Sequence, residues 1–507
     1  MTAIRAEAWD RLGASTFDLL VIGAGIIGSR IAFEAARAGL MVALVDAGDF
    51  GGATSSGSSK LIHGGFRYLP MGDLALVWES QRERRALMGH VAQHLVRRMP
   101  MVLAAYRGGP TGPVTAAAGV LAYGALCGFH GTGVALVGAH AAQELVPQLR
   151  TDGLNVCGRF DEGQTNDARL VLATVNAAAR SGATVLNHAR VVGLERPGGR
   201  LARAAIQGGD GAGVVEVGFR NVINAAGPWV DRLRQLEDPA CEPIARLSKG
   251  VHLLLDPPAE WQAGLVVPVE DGRVTMALPW QGMLMLGTTD TDFDGAPDEC
   301  AVTRSDVAQV LGEASMALPR EMLRPENVRF SFAGLRVLPI GNGTSANAHR
   351  EHLIRTGRFG MVSIAGGKLT THRRIAVEAL RRLPEPRLSD LRVADVPLQQ
   401  VSAAPGEPTD WDLDPNVVNH VIGVYGLDAA QVLQQRRHHR DALERIHPSG
   451  PDVWAQVYHA VEREWAMTVE DLVRRRTTLS VRGLASATVR AEVERVFTPA
   501  QLTGTAP

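Results

Sequence analysis

The sequence predicts an α/β protein with a helical C-terminal region. Three observations predict it. A short apolar run, Leu19 to Ile22, opens into a glycine-rich turn and then a helical pattern. A second strand–glycine–helix succession, "SIAGGKLTTHRRIAVEAL", starts at Ser363. From about Asp412 onward the pattern is helical, after a proline-rich connector, "LQQVSAAPGEPTD".

With 507 residues the chain exceeds one ordinary domain, and two or three are expected. Hydrophobic residues make up 46% and charged residues 21%, a globular composition with a sizeable core. Basic and acidic side chains, 52 and 53, nearly cancel. A net charge of −1 argues against whole-surface binding of nucleic acid. Cys127, Cys157, Cys241 and Cys300 lie far apart with no CxxC spacing, so no metal site is expected and a reducing compartment fits. The start, "MTAIRAEAWDRLGAST", has no long apolar run and reads as a polar lead-in. Lys60, Lys249 and Lys368 are the only lysines, against 49 arginines. Where arginine is the default cation, a lysine marks a candidate site for a compact, titratable ammonium.

The first segment, "FDLLVIGAGIIGSRIAFEAARAGLMVALVDAGDF" (residues 17–50), is a complete βαβ unit. Its G-x-G-x-x-G falls on Gly23, Gly25 and Gly28, between strand and helix, and Gly39 closes the helix. Asp46 ends the second strand, about twenty residues on, where a ribose would be held. Glycines at these positions let a pyrophosphate approach the helix N-terminus, so the unit reads as dinucleotide-binding.

Residues 108–143 contain no Asp, Glu, Lys or Arg. Glycines, Pro110, Pro113 and His130 interrupt the stretch, so it reads as a packed insert or a lipid-touching surface and not as a spanning helix. "NDARLVLATVNAAARSGATVLNHARVVGLER" reads as helix, turn, strand. "RNVINAAGPWVDRL" follows as a strand, then β-like segments from about Ile244 to Leu286. In "RRHHR" (residues 436–440) adjacent histidines on a helix point about 100° apart and chelate poorly, so a solvated face is expected.

The βαβ unit alone does not separate NAD from FAD. "VINAAGPWV" and "SIAGGKLTTHRRIAVEAL" favour FAD. The first ends in small residues that can lie against a dinucleotide. The second offers a further helix N-terminus to a flavin ring. A site assembled from both ends of a domain suits a long cofactor.

Nine stretches carry a resemblance: "VIGAGIIGSRIAFEAARAGL", "TSSGSSKLIHGGFRYL", "NDARLVLATVNAA", "INAAGPWVD", "SKGVHLLL", "GTTDTDFDG", "FAGLRVL", "GGKLTTHR" and "EWAMTVEDLVRRRT". Over nearly its whole length the chain resembles the FAD-dependent (aerobic, membrane-associated) glycerol-3-phosphate dehydrogenases. The resemblance implies an α/β fold: a glutathione-reductase-like FAD-binding (Rossmann-type) domain, a mixed β-sheet substrate domain and a C-terminal helical domain. An FAD-dependent oxidoreductase region of 1–395 is expected. Its FAD-binding parts are about 17–106, 160–243 and 350–385, and its substrate parts about 107–159 and 244–349, with the helical domain at 396–507. Asp46 stands where the family usually has glutamate, Val337 where proline is common and His372 where tyrosine is usual.

The activity implied is oxidation of sn-glycerol 3-phosphate to dihydroxyacetone phosphate, with electrons passed from FAD to a membrane quinone. Oxygen as acceptor, and another hydroxy compound or an amine as substrate, stay open, as does a flavin-binding protein without turnover. Peripheral contact with the cytoplasmic face of the membrane is implied. Oligomeric state is not readable, and a homodimer is one arrangement. Cofactor contacts are expected from Gly23, Gly25, Gly28, Asp46, Thr54, Ser55, Ser56, Ser58, Ser59, Lys60, Leu61, His63 and Gly65. Others are expected from Val191, Ala226, Gly227, Trp229, Gly367, Lys368, Leu369 and Thr370. Thr370 and Thr371 are expected to cap the helix that follows them. Arg67 and Arg336 are the expected phosphate cations, with Tyr68 donating a hydrogen bond. His252 is the expected base and Lys368 the stabiliser of developing negative charge. The arginines of "EDLVRRRT" are expected on the outer side of a docking helix.

Overall fold

Two sheets organise the molecule, with a helical unit against one side. The computed structural model describes residues 2–66, 69, 72–129, 131–209, 211–257, 259–340, 352–399 and 413–497.

The first sheet runs Leu353–Thr356, Val362–Ala365, Val214–Asn224, Thr16–Ile22, Val42–Val45, Thr184–Leu186. From Val362–Ala365 to Thr184–Leu186 every neighbouring pair is parallel. Parallel strands are covered on both faces, which is why Leu19 to Ile22 and Val42 to Val45 are unbroken apolar runs and wholly buried. The helices Ile26–Arg37, Asp167–Arg180 and His372–Leu380 pack against this sheet and against one another. Arg203–Gly208 and Ala189–Glu195 extend it off the edge of Val214–Asn224 as an antiparallel pair.

The second sheet is mixed. Its order is Thr291–Phe293, Ala245–Leu255, Met283–Gly287, Val274–Trp280, Gly264–Pro268, Val96–Ala104, Val156–Thr165, Leu61–Ile62. Val328–Pro339 also pairs with Ala245–Leu255, and Ala135–Gly138 with Val156–Thr165. The antiparallel register sets Ser248 opposite Arg336, Gly250 opposite Gly334 and His252 opposite Phe332. Side chains alternate faces along a strand, so these three rungs share one face.

The charge-free stretch forms the helix Pro113–Leu126 and the strand Ala135–Gly138, and leads into the helix Ala139–Leu145. Pro113–Leu126 is apolar all round. Ala116, Val120 and Tyr123 are buried, while Val114 and Leu121 face out.

The C-terminal helices Pro415–Tyr425, Trp454–Arg463 and Ala487–Glu494 share their own apolar core. They dock on the first sheet through buried charge. Asp49 accepts from Arg475 Nε and from both Arg476 Nη atoms, and from Asn187 Nδ2 at 2.9 Å. Arg169 and Glu464 form a bidentate pair at 2.8 Å and 2.8 Å. This corrects the expectation for "EDLVRRRT": Arg475 and Arg476 point inward, and Arg474 alone of the three is exposed. They face in because Asp49 and Asp471 are buried beneath them and need cations. In "RRHHR", Arg436, Arg437, His438 and Arg440 are exposed, and His439 stacks on Tyr458 at 3.7 Å.

Candidate active site

The cofactor cradle starts where Thr16–Ile22 ends. Gly23 has φ +100, and a Cβ there would strike the Ala225 carbonyl oxygen. A Cβ on Gly28 would strike the Gly23 carbonyl oxygen, so only glycine lets helix and turn meet this closely. Ser55 Oγ accepts the first free helix donor, Ile26 N–H, at 3.0 Å, and lies 3.0 Å from where a Gly25 Cβ would be. An oxygen is thus already held at the helix N-terminus, where a phosphate oxygen fits by the same chemistry. Asp46 accepts Ala24 N–H at 2.6 Å and Gly48 N–H at 2.9 Å. Burial pushes its carboxyl up to about 6, against those two donors.

Val191 is buried at a bulge in its strand. The Ala226 N–H is held by Asn224 Oδ1 at 3.1 Å, and Trp229 Nε1 donates to Asp298 at 3.3 Å. Beside Ile27 of the same helix, a Cβ on Gly367 would meet Ile375 and Ile27 at 2.8 and 3.0 Å. The Gly366–Thr371 turn therefore lies against the start of the first helix. Thr370 donates to the His63 carbonyl at 3.3 Å, and Leu369 O is bonded by His372 Nδ1 at 2.7 Å. Thr371 stands at the N-cap of His372–Leu380 without a side-chain cap bond, so the expected capping role is corrected. Both hydroxyls lie in buried surroundings, and that of Thr370 is spent on tying two loops together.

The loop from Thr54 to Gly65 is fixed at both ends. Thr54–Ser56 is one 3₁₀ turn, and Thr54 Oγ1 donates to Leu335 O at 2.7 Å. A Cβ on Gly57 would sit 2.9 Å from Gly334 Cα, so the loop rests directly on the second sheet. Ser58 Oγ donates to Asp167 at 2.6 Å. Lys60 Nζ donates to Asp167 at 2.8 and 3.0 Å and to Ser56 O at 2.7 Å. Its ammonium lies 5.0 Å from the Trp280 ring and 4.7 Å from the Phe332 ring. Burial lowers the Lys60 ammonium, and the adjacent Asp167 partly offsets this. The Lys60 ammonium is thus committed to Asp167, while its N–H donates to Ser58 Oγ at 3.1 Å and its carbonyl accepts Thr165 N–H at 2.8 Å. Leu61 begins a short strand paired to Gln164, and Gly64 N–H donates to Glu162.

The three rungs form the floor beneath this loop. Arg336 Nη1 donates to Asp290 and Thr289 O, both at 3.1 Å. Its Nη2 donates to Thr288 Oγ1 and Thr289 O, also at 3.1 Å. The guanidinium lies over Gly250, where a Cβ would come within 2.7 Å of Nη2. His252 is 3% exposed and stacks on Phe332 with centroids 4.9 Å apart. Its Nε2 lies 2.9 Å from Ser59 Oγ. Burial drives its pKa well below the usual histidine value, and the charges of Lys60 and Arg336 add to this. The ring is therefore held neutral beside a fixed cation.

Lys249 is next along the strand but on the other face, paired with Asp306 at 2.7 Å. Val337 also faces away from Arg336 and packs with Val230, Ile244 and Ala365. Lys368 is half-buried after Gly366 and Gly367, and its charge reaches the Glu79 carboxyl. Arg67 and Tyr68 lie outside the described residues. Sequence reasoning missed Asp167, Asp290, Thr288 and Phe332. All four sat within quoted stretches: Asp167 in "NDARLVLATVNAA", Thr288 and Asp290 in "GTTDTDFDG", and Phe332 at the head of "FAGLRVL". Asp49, His188 and Asp471 bring ligand atoms within 4.8 Å of one another, but Arg475 and Arg476 already answer their charge.

Residues 18–373 match the family described as FAD dependent oxidoreductase, and residues 364–500 match the C-terminal domain of alpha-glycerophosphate oxidase. The glycerol-3-phosphate dehydrogenase of Synechocystis is 32% identical, over 92% of this chain and 89% of its own. Glycerol-3-phosphate dehydrogenase 2 of Mycobacterium tuberculosis is 31% identical, over 97% and 86%. The solved structure of the Bacillus halodurans glycerol-3-phosphate dehydrogenase complexed with FAD superposes with a TM-score of 0.76 at 25% identity, covering 98% of this chain and 95% of that one. With the cradle and the whole length accounted for, the chain belongs to the FAD-dependent glycerol-3-phosphate dehydrogenase family.

Proposed function

We propose that this chain oxidises sn-glycerol 3-phosphate to dihydroxyacetone phosphate and passes the electrons to a membrane quinone. One observation carries the reading: Arg336 and His252 stand two rungs apart on one face, a fixed cation and a neutral base beneath the same loop. Bound FAD supplies the hydride acceptor. Gly23, Gly25, Gly28 and the Ile26 N-terminus would hold its pyrophosphate, and Asp46 its ribose. Arg336 binds the phosphate, with Arg67 and Tyr68 as further contacts. His252 takes the hydroxyl proton as the carbinol hydride leaves, its Nε2 exchanging the Ser59 hydroxyl for that of the substrate. Lys368 offsets negative charge that develops nearby. The names of the curated relatives support this substrate. Val337 supports it as well, since its departure from the usual proline faces away from Arg336.

The acceptor has two readings. The C-terminal match to an oxidase domain favours oxygen. The uncharged surface of Pro113–Leu126 favours a membrane acceptor: Val114 is 81% exposed and Leu121 43%. Trp78, 66% exposed on the helix Leu74–Ala86, lies on a neighbouring element joined to it by a Gln81–Tyr123 hydrogen bond. No described helix is long and apolar enough to cross a membrane, so the attachment proposed is peripheral, on the cytoplasmic face. The test is optical. Purified protein should be yellow and should bleach anaerobically with glycerol 3-phosphate but not with unphosphorylated glycerol. Persistence of colour with glycerol 3-phosphate overturns the substrate. Peroxide yield measured against quinone reduction decides the acceptor.

A further inference from the structure

A cavity of ≈ 270 Å³ lies where the second sheet and the helix Asp167–Arg180 meet the C-terminal helices, apart from the Arg336 site. Its wall draws on Arg97 from the strand Val96–Ala104, Arg169 from the helix Asp167–Arg180, the adjacent Gly282 and Arg482, and His94 and His420. No Asp or Glu lines it among the described residues.

The charges do not cancel locally. Arg169 is matched by Glu464, and His420 by Asp452 at 2.9 Å. Arg97 and Arg482 form no ion pair among the described residues; Arg482 Nε donates only to Thr478 Oγ1, at 3.0 Å. Both guanidiniums are seated against glycine. A Cβ at Gly423 would lie 2.6 Å from Arg97 Nη2, and one at Gly282 would lie 2.8 Å from Arg482 Nη1. Two elements thus leave room for cations that have no carboxylate of their own. Two buried donors in the wall also lack partners among the described residues, the Thr165 hydroxyl and Arg169 Nε. Thr165 is 3% exposed. Burial and the nearby arginines hold His94 down at about 4, so it offers a neutral ring and no further charge.

We propose that this junction cavity binds a small soluble phosphorylated anion, at a site separate from the Arg336 site. Arg97 and Arg482 supply the charge, and Thr165 and the Arg169 Nε–H supply hydrogen bonds. An occupant would bridge the C-terminal helices to the second sheet. It would also touch the loop above the rungs: Thr165 N–H donates to Lys60 O at 2.8 Å, and Trp280 Nε1 donates to Thr165 O at 3.1 Å.

The experiment titrates inorganic phosphate into flavin-loaded enzyme by calorimetry, with chloride balancing ionic strength. The Arg336→Ala background removes the substrate site. Phosphate should still bind there with one site. Adding Arg97→Ala, at an exposed position, should weaken it roughly tenfold with flavin absorbance unchanged. Adding Arg482→Ala should remove the heat. Absence of binding in Arg336→Ala, or an unchanged affinity after Arg97→Ala, overturns the proposal. In otherwise wild-type enzyme the phosphate-induced rise in melting temperature should shrink in Arg97→Ala. An equal rise in both proteins overturns it as well. None of these outcomes depends on turnover, so the substrate assignment stands or falls separately.

Discussion

Ser59 Oγ lies 2.9 Å from His252 Nε2, and this contact joins the glycine-serine loop to the ladder that carries Arg336. The loop comes from the edge of the first sheet's βαβ unit and the histidine from the second sheet. Gly57 against Gly334 brings the two within reach, because any side chain at either position would lift the loop away. The imidazole is thereby positioned by backbone contact and not by a flexible hinge.

His252 should be the residue whose loss costs turnover without costing cofactor. His252→Gln is expected to lower kcat roughly 10²- to 10⁴-fold with the flavin spectrum retained. The pH profile adds a sign. Burial, with Lys60 and Arg336 nearby, disfavours the protonated ring, so the working neutral form persists as pH falls through about 6.5. The acidic limb of kcat/KM should therefore lie below that value. A limb centred at or above about 6.5 would exclude His252 as the titrating base.

Arg336 should act on substrate affinity. Donor contacts to Thr288, Thr289 and Asp290 fix the guanidinium before anything binds. Arg336→Ala is expected to raise KM for glycerol 3-phosphate roughly 10²-fold, and Arg336→Lys to recover part of it. Steady-state kinetics checks this, and an unchanged KM rules the arginine out as the phosphate cation.

The Rossmann unit could be read from the sequence because it is local. Gly23, Gly28 and Asp46 lie within one βαβ unit, and their spacing is their geometry. That His252 and Arg336 share a face could not be read by spacing, since 84 positions separate residues that only sheet register brings together. The same limit hid Asp167. Lys60 looked like a ligand-facing cation, and only the folded chain shows a carboxylate from a distant helix under it. Burial of Arg475 and Arg476 was equally hidden, because a triplet of arginines reads as solvated until Asp49 is placed beneath it.

The Lys60–Asp167 pair should matter for stability more than for chemistry. Both groups are buried, so removing one leaves the other uncompensated. Lys60→Met is expected to cost roughly 3–5 kcal/mol. Combining it with Asp167→Asn should return part of the loss. Denaturant unfolding of the holoenzyme measures both, and equal stability of Lys60→Met and wild type would show that the pair is not uncompensated on mutation.

Lipid contact should follow the exposed apolar faces of Leu74–Ala86 and Pro113–Leu126. Placing charge there opposes insertion, so Val114→Glu with Leu121→Glu is expected to release protein from anionic vesicles in a flotation assay while anaerobic bleaching continues. Full retention on vesicles would remove this surface from consideration.

The Arg169–Glu464 pair makes the docking of the C-terminal helices sensitive to acid. Burial alone would raise the Glu464 carboxyl, but the Arg169 guanidinium outweighs it and holds it down at about 2. The folded value is thus depressed from the 4.5 of a free glutamate. Its contribution is complete above the unfolded value and is lost as pH falls through 4.5 toward 2, an amount of roughly 3 kcal/mol. Trp465 packs edge-on to Phe50 with centroids 5.6 Å apart, so its fluorescence reports on this interface. Unfolding midpoints followed this way should fall steeply between about pH 5 and pH 3 in the wild type. In Glu464→Gln they should start lower, with Arg169 left buried, and depend less on pH over that range. Equal pH slopes in the two proteins would mean that another carboxylate controls the acid response.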